Sequence, residues 1–173
     1  MSQIYTVDGQ LYTLNERYKN KKIFRKMTNS EIEIKIYKIL KNNPHSNIVK
    51  IYKIGKNHVD LEFLDTYIPL NYNSFYKIES LKKVKEHLQS LGIVYIDWKD
   101  DQYGIGENGI LKLFDFDGSG IFDINTNEWI DSPNHFYNYL TAVKKGITKP
   151  IEIDNHNFRK NILKEKKCYC LCM

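Results

Sequence analysis

Apolar residues alternate along the first part of the chain, which predicts a series of short strands. Alternation over residues 3–7 and 10–14, on either side of an Asp-Gly turn signal, predicts a hairpin. Residues 22–27 predict a further strand. A helix is then expected to run to about residue 41, because apolar residues recur at helical spacing, namely at Ile32, Ile36, Ile39 and Leu40.

The ends of this helix carry recognisable signals. Thr28 with Glu31 fits a capping box, and Asn42-Asn43-Pro44 is expected to stop the helix. Residues 47–56 and 57–64 follow as two more predicted strands. The first 64 residues therefore predict an antiparallel sheet with one helix packed on it.

The second half of the chain has a weaker pattern. Residues 65–78 are interpreted as a connector, and residues 79–91 as a helix that Gly92 ends. Residues 125–133 are rich in turn formers. Residues 134–145 predict one more helix, and residues 157–166 a short one.

Candidate chemistry concentrates between residues 93 and 120. Asp97 is followed by Lys99 and Gln102, and Asp115 ends an apolar run that is typical of a buried strand. Carboxylates hold Mg²⁺, and an Asp-Lys pair can handle a hydroxyl proton and phosphate charge. The stretch therefore suits metal-nucleotide chemistry.

Composition narrows the class of protein. The 173 residues carry a net charge of +5 and are 42% hydrophobic, which allows one domain or two small lobes that share a cleft. The basic residues form patches rather than a stripe, so no specific nucleic-acid partner is expected. No signal peptide or membrane span is visible, and all three cysteines crowd the C-terminus, which favours a reducing, cytoplasmic compartment.

Two segments resemble motifs of the protein-kinase-like family. Residues 88–102, which include Tyr95-Ile96-Asp97-Trp98-Lys99, look like the end of a long helix entering the kinase catalytic loop, and Asp115-Phe116-Asp117-Gly118 looks like the D-F-G element. Residues 47–51 resemble the strand after the family's first helix. The short form looks like the compact kinase-like proteins of giant DNA viruses, which would place the chain in a host cytoplasm.

The resemblance implies an α+β, kinase-like fold. Residues 1–64 would form a small antiparallel-sheet lobe with one helix, residues 65–146 a strongly reduced helical lobe, and residues 147–173 a basic tail that contains the cysteines. It implies transfer of a phosphoryl group from ATP to a hydroxyl, most simply a serine/threonine-type protein kinase, with a protein or a small molecule as acceptor.

Roles follow from the same resemblance for the catalytic segment. Asp97 would be the catalytic base, and Lys99 would neutralise charge on the transferred group. Gln102 and Asp115 would hold Mg²⁺, or Mn²⁺ in its place. Tyr95 and Ile96 stand where the family has His and Arg.

The resemblance also implies a nucleotide cleft in the first lobe. Leu61, Glu62 and Leu64 would form the hinge that meets adenine. Lys26 would contact the phosphates and pair with Glu33, although Arg25 or Lys22 can take the place of Lys26, because no V-A-I-K motif fixes the register.

Departures from the family keep a second interpretation open. No glycine-rich loop is present, Gln102 replaces an Asn, and Asp117 stands where the family has Gly. The alternative is a pseudokinase that acts as a nucleotide-binding or protein-interaction module.

The C-terminal tail suggests a membrane partner. Cys170-Leu171-Cys172-Met173 fits a C-a-a-X lipidation signal, and the lysines before it could support contact with a membrane surface through a lipidated Cys170. The reduced lobe also leaves a homodimer possible.

Overall fold

The computed structural model describes residues 4–7, 10–13, 23–68 and 72–164. Across these ranges the chain is a mixed α+β protein with small antiparallel sheets and four helices. The strands are β1 (Ile4–Val7), β2 (Gln10–Thr13), β3 (Ile23–Met27), β4 (Ile51–Ile54), β5 (His58–Glu62), β6 (Ile93–Val94), β7 (Tyr103–Ile105), β8 (Leu111–Leu113), β9 (Gly120–Asp123) and β10 (Glu128–Asp131). The helices are α1 (Glu31–Asn42), α2 (Ser74–Ser90), α3 (Tyr137–Lys144) and α4 (Pro150–Asn161).

The predicted sheet of the first half is present. β1 pairs with β2, and β3, β5 and β4 form a three-stranded antiparallel sheet in that order. The Asp8-Gly9 turn between β1 and β2 lies outside the described residues. Helix α1 packs on this sheet with one buried face, which consists of Glu33, Ile36, Tyr37 and Leu40.

The helix cap falls within the predicted segment Thr28-Asn29-Ser30, but the capping box predicted for Thr28 and Glu31 is wrong. Ser30, not Thr28, is the N-cap, and its hydroxyl accepts a hydrogen bond from the Glu33 amide at 3.2 Å. The Thr28 hydroxyl instead accepts from the Ser30 amide, because Thr28 lies two residues before the N-cap. At the other end Asn43 is the C-cap, so the predicted stop is confirmed.

Helix α2 begins earlier than the pattern predicts. Asn73 caps it through hydrogen bonds from the Phe75 and Tyr76 amides, so residues 74–78 are helical and not part of a connector. The exposed rings of Phe75 and Tyr76 hid this first turn, because they break the apolar periodicity. The helix ends as predicted at Gly92, whose φ of 72° few other residues adopt.

The β7–β8 hairpin is joined to the first sheet through loops. The Leu113 amide donates to Asn47 O at 2.8 Å, and the Val49 amide donates to Leu113 O at 2.9 Å. On the other side Asp65 and Ile105 exchange both backbone hydrogen bonds, at 2.9 and 2.8 Å. The β7–β8 hairpin, which leads to Asp115, is therefore fixed on one side by residues 47–49 and on the other by Asp65.

A third sheet, in the order β10–β9–β6, was not predicted. Residues 125–133 are turn-rich only in part, since β10 pairs with β9 and places Trp129 opposite Phe122. The last helix is also longer and earlier than predicted. It begins with Pro150, which suits a first helical turn, and buries Ile153 and Phe158.

Two hydrophobic clusters meet at the short strand β6. Ile93 belongs to the larger cluster, which is formed by α1, β5, α2, β8, Trp98 and Phe158. Its neighbour Val94 belongs to the smaller cluster with Phe122 and Ile153, because successive side chains of a strand point to opposite faces. The loop that follows β6 and carries Asp97 is thus anchored in both clusters.

Within the described residues, no helix is long and apolar enough to cross a membrane. Lys22 and the C-terminal cysteines, on which two of the sequence predictions depend, lie outside the described residues. The proposed lipidation of Cys170 therefore stays a prediction.

Candidate functional site

Strand β3 directs Lys26 into a cluster of acidic side chains. Its Nζ donates to Glu33 Oε1 and to Asp115 Oδ1, each at 2.5 Å. The preceding residue, Arg25, forms a two-pronged ion pair with Asp60 at 2.6 and 2.9 Å. Arg25, one of the two alternatives to Lys26, is therefore engaged with Asp60. Lys26 itself joins α1 to the segment that follows β8.

Glu33 is held as a buried carboxylate. It is 0% exposed and lies in the first turn of α1, where unpaired amides and the helix dipole favour negative charge. Burial lowers the pKa of the Lys26 amine, but the charges of Glu33 and Asp115 outweigh burial, so the pKa is raised above its usual range. Lys26 is therefore a firmly charged cation with two anionic partners.

Asp115 lies directly after β8 in a left-handed backbone conformation, with φ 62°. Asp is one of the few residues other than Gly that adopt this conformation at modest cost. The Asp117 amide points back to Asp115 Oδ1 at 3.4 Å. Burial, and then the charge of Asp115, raise the pKa of Asp117 to about 6, against the opposing effect of Lys26. Two carboxylates thus share a small region that holds more negative charge than Lys26 balances.

The loop that carries Asp97 contains a tight γ-turn. The Asp97 amide donates to Tyr95 O at 2.8 Å, and Ile96 between them has φ 66°. A β-branched residue rarely adopts a positive φ, and such a conformation costs about 1–3 kcal/mol. Something in the surrounding structure must therefore hold Ile96 in place.

A carboxylate from α4 holds it. Asp154 is 0% exposed, and its Oδ1 accepts from the Ile96 amide at 3.2 Å and from Trp98 Nε1 at 2.6 Å. Its Oδ2 accepts from Gln89 Nε2 at 2.7 Å. Burial raises the pKa of Asp154, and these donors oppose that rise. Asp154 therefore holds the backbone amide before Asp97 and the side chain after it.

Three side chains converge on the carboxylate of Asp97, which is only 2% exposed. Lys99 Nζ and Gln102 Nε2 both donate to Oδ2, at 2.8 and 2.9 Å. Asn138 Nδ2, from the first turn of α3, donates to Oδ1 at 3.0 Å. Burial raises the pKa of Asp97, and Lys99 and then Gln102 oppose the rise. The carboxylate is thus a stronger base than an exposed Asp, with a defined orientation.

Contacts through Tyr95 connect the Asp97 loop to the Asp115 segment. The Tyr95 hydroxyl donates to Phe114 O at 2.6 Å, and the Ser119 hydroxyl donates to Tyr95 O at 3.2 Å. The rings of Tyr95 and Phe116 meet edge to face, with centroids 5.4 Å apart. The two acidic segments are therefore packed against each other as one unit.

A long-range electrostatic effect supports the same conclusion. The hydrogen bond from Lys99 to Asp97 is the largest cause of the raised pKa of Lys99, and the charge of Asp117 contributes to the rise as well. Lys99 thus experiences the carboxylates of both segments.

Groups of the predicted hinge segment already have partners within the chain. Leu61 is buried in β5, and the Glu62 amide already donates to Lys50 O at 2.8 Å. The Glu62 carboxylate pairs with Lys112 Nζ at 2.6 Å. Leu64 follows with a side chain that is 9% exposed, immediately before the Asp65–Ile105 pairing. The structure therefore engages both the amide and the carboxylate of Glu62, and the hinge role of this segment stays a prediction.

Gln102 and Asp115 were predicted to hold a metal ion. The described residues contain no cluster of three or more His, Cys, Asp or Glu side chains arranged to bind a metal. The oxygen donors that do occur near the site are the Asp115 and Asp117 carboxylates and the amide oxygen of Gln102, whose nitrogen is turned to Asp97. Carboxylate and amide oxygens suit a hard cation such as Mg²⁺.

Two residues of the site were missed by sequence reasoning. Asp154 could have been noticed, because it lies beside Ile153 and four residues before Phe158, on the same face of a helix as these apolar residues. Asn138 carries no such signal, since an Asn near a helix start is most often a solvated residue. Asn138 contacts Asp97 itself, whereas Asp154 contacts the neighbouring Ile96, and both contacts span more than 40 residues of chain.

No protein-family model matches the chain, and a search of the curated proteins finds no significant match. Function is therefore inferred from the side chains of the site and from their contacts.

Proposed function

We propose that the chain has a kinase-like fold and transfers the γ-phosphoryl group of ATP to a hydroxyl group of an acceptor. The observation that carries this proposal is Lys26, which contacts a buried carboxylate of the helix after its own strand and the carboxylate of Asp115. Phosphoryl transfer depends mainly on such fixed charges, because the enzyme must position the phosphates and stabilise their charge.

The second part of the site supplies the base. Asp97 accepts the proton of the acceptor hydroxyl, and the acceptor oxygen forms a bond to the γ-phosphorus. The bond between the γ-phosphorus and the bridging oxygen breaks, and ADP leaves with that electron pair. Burial favours this role, since a raised pKa brings the base closer to a neutral operating pH. Lys99 stands beside Asp97, where it neutralises charge on the transferred group.

Asp115, Asp117 and Gln102 are the residues that would hold Mg²⁺ or Mn²⁺. The fit rests on their donor chemistry. Burial is the largest cause of the raised pKa of Asp117, and the charge of Asp115, which a bound cation would offset, adds to it. A bound divalent cation supplies positive charge that neutralises the phosphate oxygens. The ion pair between Lys26 and Asp115 must then loosen when nucleotide phosphates and the cation enter.

A specific feature favours a second candidate, namely a nucleotide-binding pseudokinase. Both oxygens of Asp97 are already occupied by Lys99, Gln102 and Asn138. A base must give up one of these donors to receive a proton from an acceptor. If all three contacts persist when nucleotide binds, the chain binds ATP without transferring its phosphoryl group.

Turnover of ATP by the purified protein with Mg²⁺ tests the proposal. Asp97→Asn and Asp115→Asn are each expected to lower ADP formation by about 100-fold or more, which corresponds to about 3 kcal/mol of transition-state stabilisation. Glu107→Gln, at the exposed turn of the β7–β8 hairpin, serves as the control and keeps full activity. Activity that persists in both Asp variants contradicts the proposal. A thermal shift with MgATP and no turnover assigns the pseudokinase instead.

A further inference from the structure

A cleft of about 550 Å³ opens beside the Asp97 carboxylate. One wall is the catalytic segment, with Asp97, Lys99 and Asp100, and the other consists of the start of α3 and the end of α4. A volume of this size is typical of sites for small molecules or a few residues of a peptide. The cleft lies where an acceptor must approach if Asp97 is the base.

The α4 wall is cationic. Lys160, in the last turn of α4, and Lys164, three residues beyond the end of that helix, both line the cleft. Lys160 is exposed and forms no ion pair within the described residues. Lys164 is 71% exposed, and its Nζ is 3.8 Å from Asp100 Oδ2, which is a loose contact.

The negative charge opposite them is already engaged. Asp100 accepts from Lys77 Nζ at 3.2 Å and from the Tyr103 hydroxyl. The Tyr103 hydrogen bond is the largest cause of the lowered pKa of Asp100, and Lys77 lowers it further. Asp97 is paired with Lys99. Lys160 and Lys164 therefore retain positive charge for a ligand.

The position of Lys160 on α4 can be related to Asp97 through Asp154. Asp154, which holds the backbone beside Asp97, precedes Lys160 by six residues, or about 9 Å along the helix axis. Phe136 and Tyr137 line the remaining side, and the Tyr137 ring is 76% exposed. The cleft thus brings together a base, two cations and aromatic carbon.

We propose that this cleft takes an acceptor whose hydroxyl group is accompanied by an anionic group, with the hydroxyl at Asp97 and the anion at Lys160 and Lys164. This inference rests on the proposed function for the role of Asp97. The same chemistry is carried by a serine or threonine followed by acidic residues and by a phosphorylated polyol. In both, a few ångströms separate the hydroxyl from the anion.

Matched probe pairs test the inference and distinguish the two sources. One pair is a serine peptide with glutamates after the serine and the same peptide with glutamines. The other is glycerol 3-phosphate and glycerol. Binding is measured by titration calorimetry without ATP, and KM is measured by ADP formation with MgATP. The anionic member of at least one pair is expected to bind at least tenfold more tightly, and the pair that shows the preference identifies the source.

Charge variants locate the preference. Lys160→Gln combined with Lys164→Gln is expected to reduce the tenfold preference to threefold or less. Arg159→Gln is the matched control, because it removes the same charge from the same turn but does not line the cleft. Added salt is expected to weaken the preference in the wild type and to have little effect in the double variant.

Each outcome has a defined meaning. Equal binding of the anionic and neutral members, binding of neither pair, or a preference that survives in the double variant overturns the inference. Turnover with no anionic preference overturns it and leaves the proposed function standing. Calorimetric preference that depends on Lys160 and Lys164, without any ATP turnover, supports the anion site and refutes the proposed function.

Discussion

Replacement of Lys26 by Met removes the cation that two carboxylates share. At 2.5 Å and an effective dielectric of about 20, each unit-charge pair attracts by about 7 kcal/mol before the cost of desolvation. Loss of one partner from a buried pair typically costs about 3–5 kcal/mol, because the other charge stays buried without compensation. Glu33 is that remaining charge, since it is 0% exposed, whereas the side chain of Asp115 is 27% exposed and retains solvent. Lys26→Met is therefore expected to lower the free energy of unfolding by about 3–5 kcal/mol.

A double-mutant cycle separates the ion pair from lost packing. Glu33→Gln removes the buried charge but leaves Lys26 bound to Asp115, so a loss of about 1–2 kcal/mol is expected. In the combined variant no buried charge remains, and the loss should be smaller than the sum of the single losses by about 2 kcal/mol. Urea unfolding of the four proteins at one pH measures these values.

The surface pair Lys35–Asp131 provides the control for this cycle. It also involves a residue of α1, but the side chain of Lys35 is 52% exposed. Its coupling is expected to be much smaller than that of Lys26 and Glu33, because solvent screens the charges. Additive effects of Lys26→Met and Glu33→Gln, within about 0.5 kcal/mol, would refute the reasoning.

Three further changes probe other parts of the site. Lys99→Met removes a charge that favours ionised Asp97, so the pKa of Asp97 rises further and the acidic limb of kcat/KM against pH moves to higher pH. Burial and the charge of Asp115 raise the pKa of Asp117 to about 6, from an ordinary value of 3.8. The native state therefore binds this proton more tightly than the unfolded state, and the wild type gains stability as pH falls through about 6. Asp117→Asn is expected to remove that gain, as measured by Tm at pH 5 and pH 8. Phe158→Ala is expected to cost about 3–5 kcal/mol in urea unfolding, because Phe158 is 4% exposed and its ring packs on Trp98 at a centroid distance of 4.8 Å.

The outcomes that contradict these expectations are distinct. An acidic limb that stays in place in Lys99→Met shows that Asp97 is not the group that titrates. Equal changes in Tm for the wild type and Asp117→Asn place the titration elsewhere. A loss below about 1 kcal/mol for Phe158→Ala, similar to that of the exposed control Tyr137→Ala, shows that α4 does not support the site.

The parts of the molecule that were predictable from sequence are those set by local signals. The sheet of β3, β4 and β5 and helix α1 follow from alternation, helical spacing and the Asn-Pro stop. The strand that carries Lys26 was predicted too, but its register, and hence the choice among Lys22, Arg25 and Lys26, was not. Asp115 follows equally from its position at the end of an apolar strand. In each case the residues that determine the outcome lie within a few positions of one another.

The parts that were not predictable depend on distant contacts. The β9–β10 hairpin pairs Trp129 with Phe122, and the apolar neighbours Ile121 and Ile130 break the alternation of apolar and polar residues. The roles of Asp154 and Asn138 arise only when α4 and α3 fold back on the Asp97 loop. The positive φ of Ile96 is likewise imposed by this packing, since an Ile has no intrinsic preference for it.

A structure determined with Mg²⁺ and a non-hydrolysable ATP analogue tests the central claim most directly. The account predicts that Lys26 Nζ contacts the phosphates, that Asp115 and Gln102 share the metal ion, and that the γ-phosphoryl group faces Asp97. A nucleotide bound away from Lys26 and Asp115, or no bound nucleotide at millimolar concentration, would contradict it.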